Sequence, residues 1–242
     1  MKLLLGIEQG SAEWHKARLG IPTASAFDQI MTSKTRKLSA SWKKYACRLI
    51  AERLMGQPVE SLDGQHWMER GKELEPAAVA QYEFINEVKL TPVAFATNDA
   101  GTIGCSPDRV VMKDGKIVHA VEVKSPALHT HIYYSQFLAA DEAYATQVQG
   151  QMMILEIDTN ELYSFYPRGP SVSFKVNRDE GFIKDLSNTL NEFNDKLHEI
   201  HQKVLKMGVW IPADAQVITP HDRERMAQDR RELDEWLDSG TI

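Results

Sequence analysis

Three charged residues stand where a β-hairpin asks for none: Asp108 after a short apolar run, then Glu122 and Lys124 among the valines of "VEVKSP". Glu122 and Lys124 are two apart, so on a strand their side chains leave one face while Val121, Val123 and Ser125 leave the other. Asp114-Gly115 is a two-residue hairpin signal. Simple pairing about that turn sets position 108 near 121. Asp108 and Glu122 therefore approach, and a bulge or small offset decides which face they share. Two such carboxylates repel and raise each other's proton affinity. Mg²⁺ or Mn²⁺ resolves the conflict by accepting oxygens from both at ~2.1 Å. The ion would neutralise a scissile phosphate, lower the pKa of bound water and orient its attack. Lys124 would position that water or accept its proton, and would stabilise charge in the transition state. The bland alternative is a hairpin with surface charges. A lone E-x-K is common, and only the order "PD", hairpin, "EVK" raises it above chance.

The elements that must position these residues are legible from periodicity. "SASWKKYACRLIAERLMG" has Ser39 or Ser41 placed to cap, an apolar face through Trp42, Tyr45, Ala46, Leu49 and Ile50, and Gly56 as a stop. A second helix covers 63–84 and breaks near Gly71 or restarts at Pro76, which sits poorly in a helix interior. Three strands are expected at 88–97, 101–112 and 116–125, followed by one helix over 141–157 that packs on the sheet. Two more strands, at 161–169 and 171–179, meet at a Gly-Pro turn. A long amphipathic helix ends at Gly208, and a charged helix closes the chain over 221–240. The result is an α+β domain, a central mixed sheet flanked by helices, over 1–210, with a charged helical tail over 211–242.

Composition bounds the rest. The 242 residues suffice for a sizeable core without disulfides, and Cys47 and Cys105 form no disulfide framework or four-cysteine metal set. Both are expected to be small buried apolar residues. No apolar run approaches the ~20 residues that span a bilayer. Polar residues follow "MKLLL" too soon for a secretory signal, so a cytosolic protein is the expectation. The net charge of −6 is unevenly spread: residues 1–60 hold ten Lys/Arg against five Asp/Glu. A local basic surface there would serve a phosphate backbone despite the acidic whole, although a solvated loop and helix face explains "KTRKLSASWKK" equally well.

"WHKARLGIPTAS" (14–25), "RGKELEPAA" (70–78), "GCSPD" (104–108), "EVKSP" (122–126) and "AYATQVQGQM" (143–152) stand in one order. In that order and character the chain resembles the YqaJ-like viral recombinase family, the lambda-exonuclease group of the PD-(D/E)xK nucleases. The resemblance implies a restriction-endonuclease-like core and a metal-dependent 5′-to-3′ exonuclease acting on double-stranded DNA ends. It implies release of 5′-mononucleotides, a 3′ overhang for a single-strand annealing protein, and a ring of three subunits that gives processivity without ATP. By position, Asp108 and Glu122 become ligands for Mg²⁺ (two ions expected, Mn²⁺ a substitute) and Lys124 the catalytic lysine. Glu75 matches an acidic residue near the metals. Arg18 and Ser25 match positions that receive the 5′-terminal phosphate, with Ser106 contributing. Tyr144 and Gln147, three apart on one helical face, reach the water or phosphate. A phage or prophage protein working in the bacterial cytoplasm is implied too. Arg109 departs from the glycine that many relatives carry after the aspartate and puts a charge beside the site.

Other readings stay open. Trp14 reads as core packing, Gln149 and Ser106 serve structure as readily as chemistry, and His119, His129 and His131 form no metal spacing. An endonuclease or repair nuclease of the same fold would keep the same site. A catalytically idle DNA-end-binding protein would have no need to keep Asp108, Glu122 and Lys124 together. Paired carboxylates of the glycosidase kind need neither Lys124 nor Arg18. No G-x-x-x-x-G-K-[ST] motif is present for a fused ATPase.

Overall fold

The computed structural model describes residues 1–59, 65–137, 140–210 and 212. The charged helix expected over 221–240, and with it the tail over 211–242, lies outside the described residues apart from position 212. Strand β1 (Lys2–Leu4) and helix α1 (Ala12–Arg18) lead into a 3-10 turn at Ala24–Gln29 and the small ribbon β2 (Met31–Thr32) and β3 (Lys37–Leu38). Helix α2 (Trp42–Met55) ends at Gly56, whose φ of 69° supplies the left-handed stop. Helix α3 (Gln65–Asn86) runs unbroken through Gly71 and Pro76, against the expected interruption. The first expected strand, 88–97, is cut at Pro92 into β4 (Leu90–Thr91) and β5 (Phe95–Thr97), which belong to different sheets. The second is likewise cut into β6 (Gly104–Cys105) and β7 (Arg109–Lys113). Pro107, which has no N–H to give a ladder, lies between them.

The main sheet adds β8 (Lys116–Lys124), β9 (Thr159–Ser164) and β10 (Val172–Asn177) in the order β10-β9-β8-β7-β4. The hairpin β7–β8 turns at Asp114 and Gly115, both at positive φ, as the two-residue turn requires. Strands β8 and β9 are parallel, so the chain crosses over between them through α4 (Leu128–Phe137), α5 (Ala140–Ala143) and α6 (Ala145–Leu155). Helix α4 has no counterpart in the sequence reading. The single helix expected over 141–157 is divided at Tyr144, which caps α6.

Strand β8 is central and sorts its side chains strictly. Val121 and Val123 join Ala78, Tyr82, Leu90, Tyr163 and Phe165 in a cluster under α3. Ala120 joins the larger core on the other face, with α6, α2 and α7 (Glu180–Leu205). Helix α7 buries Phe182, Ile183, Leu186, Leu190, Phe193 and Leu197; each such side chain contributes about 1.5–3 kcal/mol. Gly150 lets α6 lie against the 3-10 turn, since a Cβ there would meet the Phe27 ring at 2.5 Å. Cys105 is buried as expected, but Cys47 is exposed, because α2 turns that position away from Tyr45 and Leu49.

Candidate active site

The hairpin register decides which residues meet. Pairing runs Met112 to Ile117 near the turn, then shifts by one at Val111, so that Arg109 lies opposite Val121. The shift carries Asp108 to the level of Glu122 and turns both toward the α6 face. There Asp108 Oδ2 accepts the Val123 N–H at 2.8 Å. Burial, and next the Glu122 charge, hold the Asp108 carboxyl well above the usual carboxylate range, with Lys124 opposing.

Glu122 is 3 % exposed, and helix α6 satisfies it. Gln147 Nε2 donates to its Oε1, and Gln151 Nε2 donates to its Oε2 at 2.7 Å. Gln151 in turn accepts from Asn160 Nδ2 of β9 at 2.6 Å. The Lys124 ammonium reaches Glu122 Oε1 at 2.7 Å and lies 4.6 Å from the Tyr144 ring centroid, with Gln147 Oε1 at 3.5 Å. Burial alone would lower the lysine's pKa, but Glu122 and Asp108 outweigh it and raise it. These contacts favour the charged ammonium, which suits it to orienting water or phosphate oxygens. Tyr144 also accepts from Tyr134, hydroxyl to hydroxyl, at 3.4 Å. The structure thus gathers Asp108, Glu122, Lys124, Tyr144 and Gln147.

Glu75 is placed differently. Arg109, opposite Val121, faces α3, and its guanidinium bridges Glu75 Oε1 at 2.5 Å and its neighbour's carbonyl at Asp108. The charge that the sequence set beside the site therefore ties Glu75 down. Among the described residues no three His, Cys, Asp or Glu side chains gather into an ion site. Asp108 and Glu122 form a two-carboxylate pair instead. Its donors are oxygens, which suit Mg²⁺ or Mn²⁺, and a cation there would relieve the repulsion that raises Asp108. On both counts the pair fits a hard divalent ion.

Arg18 lines a neighbouring cavity of about 220 Å³, together with Trp14, Thr23, Tyr45 and Arg48. Arg18 donates to Thr23 Oγ1 at 3.3 Å, and that hydroxyl lies 3.4 Å from Ser25 Oγ, so Thr23 links the two. Burial lowers the Arg18 pKa from its very high ordinary value. Trp14 is not simple core packing. Its ring carries the Arg18 guanidinium at 3.9 Å, and its Nε1 donates to the Ala94 carbonyl at 2.8 Å and to Ser106 Oγ at 3.1 Å. Ser106, two residues before Asp108, thus joins this cavity to the carboxylate pair. Gln149 is structural, donating to the Asn177 carbonyl and accepting the Asp179 N–H.

Sequence reasoning missed Gln151, Asn160, Arg48 and the Arg109–Glu75 pair. Gln151 was within reach, standing four residues after Gln147 on the same helical face. Arg48 reads only as a helix charge until α2 packs beside α1.

The model of the YqaJ-like viral recombinase domain matches residues 13–160. An alkaline exonuclease from Laribacter hongkongensis, LHK-Exo, is 28% identical, with a TM-score of 0.67 over 82% of this chain and 100% of its own. The same protein in complex with dAMP superposes with a TM-score of 0.68, at 28% identity and the same coverage. A phage-related exonuclease from Haemophilus somnus 129PT, at 15% identity over 78% of this chain and 96% of its own, shares the fold with a TM-score of 0.59. No curated protein sequence matches. The mixed sheet with its flanking helices is the PD-(D/E)xK nuclease fold. By the stretch matched and the residues it spans, the chain belongs to the YqaJ-like viral recombinase domain family.

Proposed function

We propose that this protein is a metal-dependent, ATP-independent exonuclease that degrades one strand of linear double-stranded DNA in the 5′-to-3′ direction. It starts at a 5′-phosphorylated end, releases 5′-mononucleotides and leaves a 3′ overhang for a single-strand annealing partner. Family membership and alkaline exonucleases as structural neighbours support a nuclease acting on DNA. The observation that carries the finer reading is the meeting of Asp108, Glu122 and Lys124 on one face of the β7–β8 hairpin, with Ser106, two residues before Asp108, hydrogen-bonded to Trp14 of the Arg18 cavity.

PD-(D/E)xK nucleases generally use divalent metals, and Asp108 and Glu122 would hold the ion, expected to be Mg²⁺, in one or two copies. Once bound it would supply charge neutralisation at the scissile phosphate and a more acidic water. The chain's own residues do the remainder. Glu122 is fixed in place by Gln147 and Gln151, so its oxygens are pre-set rather than mobile. Lys124, kept charged, holds a phosphate oxygen or the attacking water, and Tyr144 beneath it limits where the ammonium points. Arg18, with Ser25 next to Thr23 and Ser106 held by Trp14, receives the terminal phosphate and sets the scissile bond one nucleotide in. We read residues 1–210 as one nuclease domain. A trimeric ring enclosing DNA would account for processivity in a phage-encoded protein of the bacterial cytoplasm. No helix among the described residues is long and apolar enough to cross a membrane.

Digestion of matched linear and covalently closed circular duplexes with Mg²⁺ tests the reading. Loss of the linear form alone, one nucleotide at a time from 5′ ends, supports it. Equal attack on the circle moves the protein to an endonuclease of the same fold, and end binding without cleavage moves it to an idle relative.

A further inference from the structure

The Arg18 cavity holds a second arginine that neither the motifs nor the cleavage site uses. Arg48, on α2, lines the same space, and its guanidinium stacks over the Tyr45 ring with Cζ 4.8 Å from the centroid. Its Nε is buried and finds no hydrogen-bond acceptor among the described residues. None of the ion pairs among those residues includes it. A buried donor left without an acceptor calls for an explanation, and packing on Tyr45 alone does not supply one. Arg18 repeats the arrangement from α1, stacked on Trp14 at 3.9 Å. A guanidinium that spends its flat face on an aromatic ring keeps its N–H edge for an acceptor. Two such forks thus line one cavity, each held by a ring. Tyr45 is itself fixed, its hydroxyl accepting the Thr23 N–H at 3.2 Å. Glu52 also lines the cavity, but its Oε2 is engaged by the Gly20 N–H at 3.0 Å. The lining arginines therefore outnumber its carboxylate two to one. At about 220 Å³ the cavity has room for a phosphate group.

The charge of the ligand follows from that of the cavity. A phosphate monoester at the end of a strand carries about 1.5 to 2 negative charges at pH 7, whereas an internal diester carries one. We propose that Arg48 is the second phosphate-binding cation of this cavity, and that it and Arg18 together select a terminal phosphate monoester over a hydroxyl end or an internal diester. The proposal rests on the exonuclease reading for the identity of the ligand as a DNA end.

The test uses the full chain, Arg48→Gln and Arg48→Lys. Binding of one short duplex, made with 5′-phosphate or 5′-hydroxyl ends, is followed by fluorescence anisotropy in EDTA, where nothing is cut, and degradation of both is then followed in Mg²⁺. Wild type is expected to prefer the phosphorylated end. Arg48→Gln should lower that preference about tenfold or more, the loss of a charge-assisted contact. Arg48→Lys, which keeps the charge but not the fork, should fall between and stay folded if the glutamine variant does not. An unchanged preference in either folded variant, or no preference in wild type, overturns the proposal. Failure of the two readings is distinguishable. A wild type that binds with preference but cuts nothing defeats the exonuclease alone, and one that cuts while Arg48→Gln keeps the preference defeats this inference alone.

Discussion

Asp108→Asn should make the metal-free protein more stable while abolishing cleavage. Asn keeps the shape of the side chain and an oxygen for the Val123 N–H, so the 2.8 Å hydrogen bond survives. What disappears is the charge that burial and Glu122 oppose. The sign follows from linkage. A carboxyl whose folded pKa lies above its unfolded value costs stability once the pH rises past the unfolded value, about 3.9. At neutral pH that cost is present in wild type and absent in the variant. Relief of a functional-site conflict of this kind typically amounts to about 0.5–2 kcal/mol, or a rise in Tm of roughly 1–8 °C for a chain of this size. Adding Mg²⁺ should reverse the order. Wild type binding the ion at a hundredfold its Kd gains about 2.7 kcal/mol, while the variant, lacking one of two carboxylates, gains far less. Thermal melts followed by circular dichroism, in EDTA and across a Mg²⁺ series, read both effects. A lower Tm for Asp108→Asn in EDTA, or an equal Mg²⁺ gain in both proteins, would refute the view of Asp108 and Glu122 as a strained, cation-seeking pair.

Three further outcomes follow from particular contacts. Gln151→Leu removes a donor from Glu122 Oε2 and strands Asn160 Nδ2; the urea midpoint should fall by the equivalent of about 2–4 kcal/mol with the m-value unchanged. Glu161 accepts from Tyr82 and Ser173 and pairs with His119, and although burial, the largest effect, would raise its pKa, these contacts lower it. Its stabilisation is therefore full above about pH 4.3 and is lost as pH falls through the lower folded value, so acid titrations of wild type and Glu161→Gln should converge only at the acid end. Arg109→Gly releases Glu75 from its ion pair; the Mg²⁺ concentration for half-maximal cleavage should shift about tenfold, as changes behind metal ligands commonly do, and an unmoved Mg²⁺ curve would make the Arg109–Glu75 pair purely structural.

The face-sorting of β8 was readable in advance, because Glu122 and Lys124 share a parity that Val121 and Val123 do not, and the Asp-Gly turn fixed where the partner strand must lie. The bulge at Val111 was open, and it decides that Asp108 meets Glu122 while Arg109 goes to α3. Such a one-residue shift depends on packing on both faces at once, which periodicity along one strand does not carry. Pro76 misled in the other direction. It argued for a broken helix, yet α3 continues through it, showing that tertiary contacts of Ala78 and Tyr82 outweigh a lost backbone bond. Arg18 was located by its motif, but Arg48 comes from a separate helix thirty residues on, and only the packing of α2 beside α1 brings both to one cavity.

The most direct test of the central claim is the time course of mononucleotide release from a linear, 5′-phosphorylated duplex uniformly labelled in one strand. It is run with wild type and Lys124→Ala, in Mg²⁺ and in EDTA. Steady release of 5′-mononucleotides by wild type in Mg²⁺, absent in EDTA and reduced at least about a hundredfold in Lys124→Ala, is the result expected of the Asp108–Glu122–Lys124 site. Release that persists in EDTA, or a Lys124→Ala variant as fast as wild type, would place the chemistry elsewhere in the molecule.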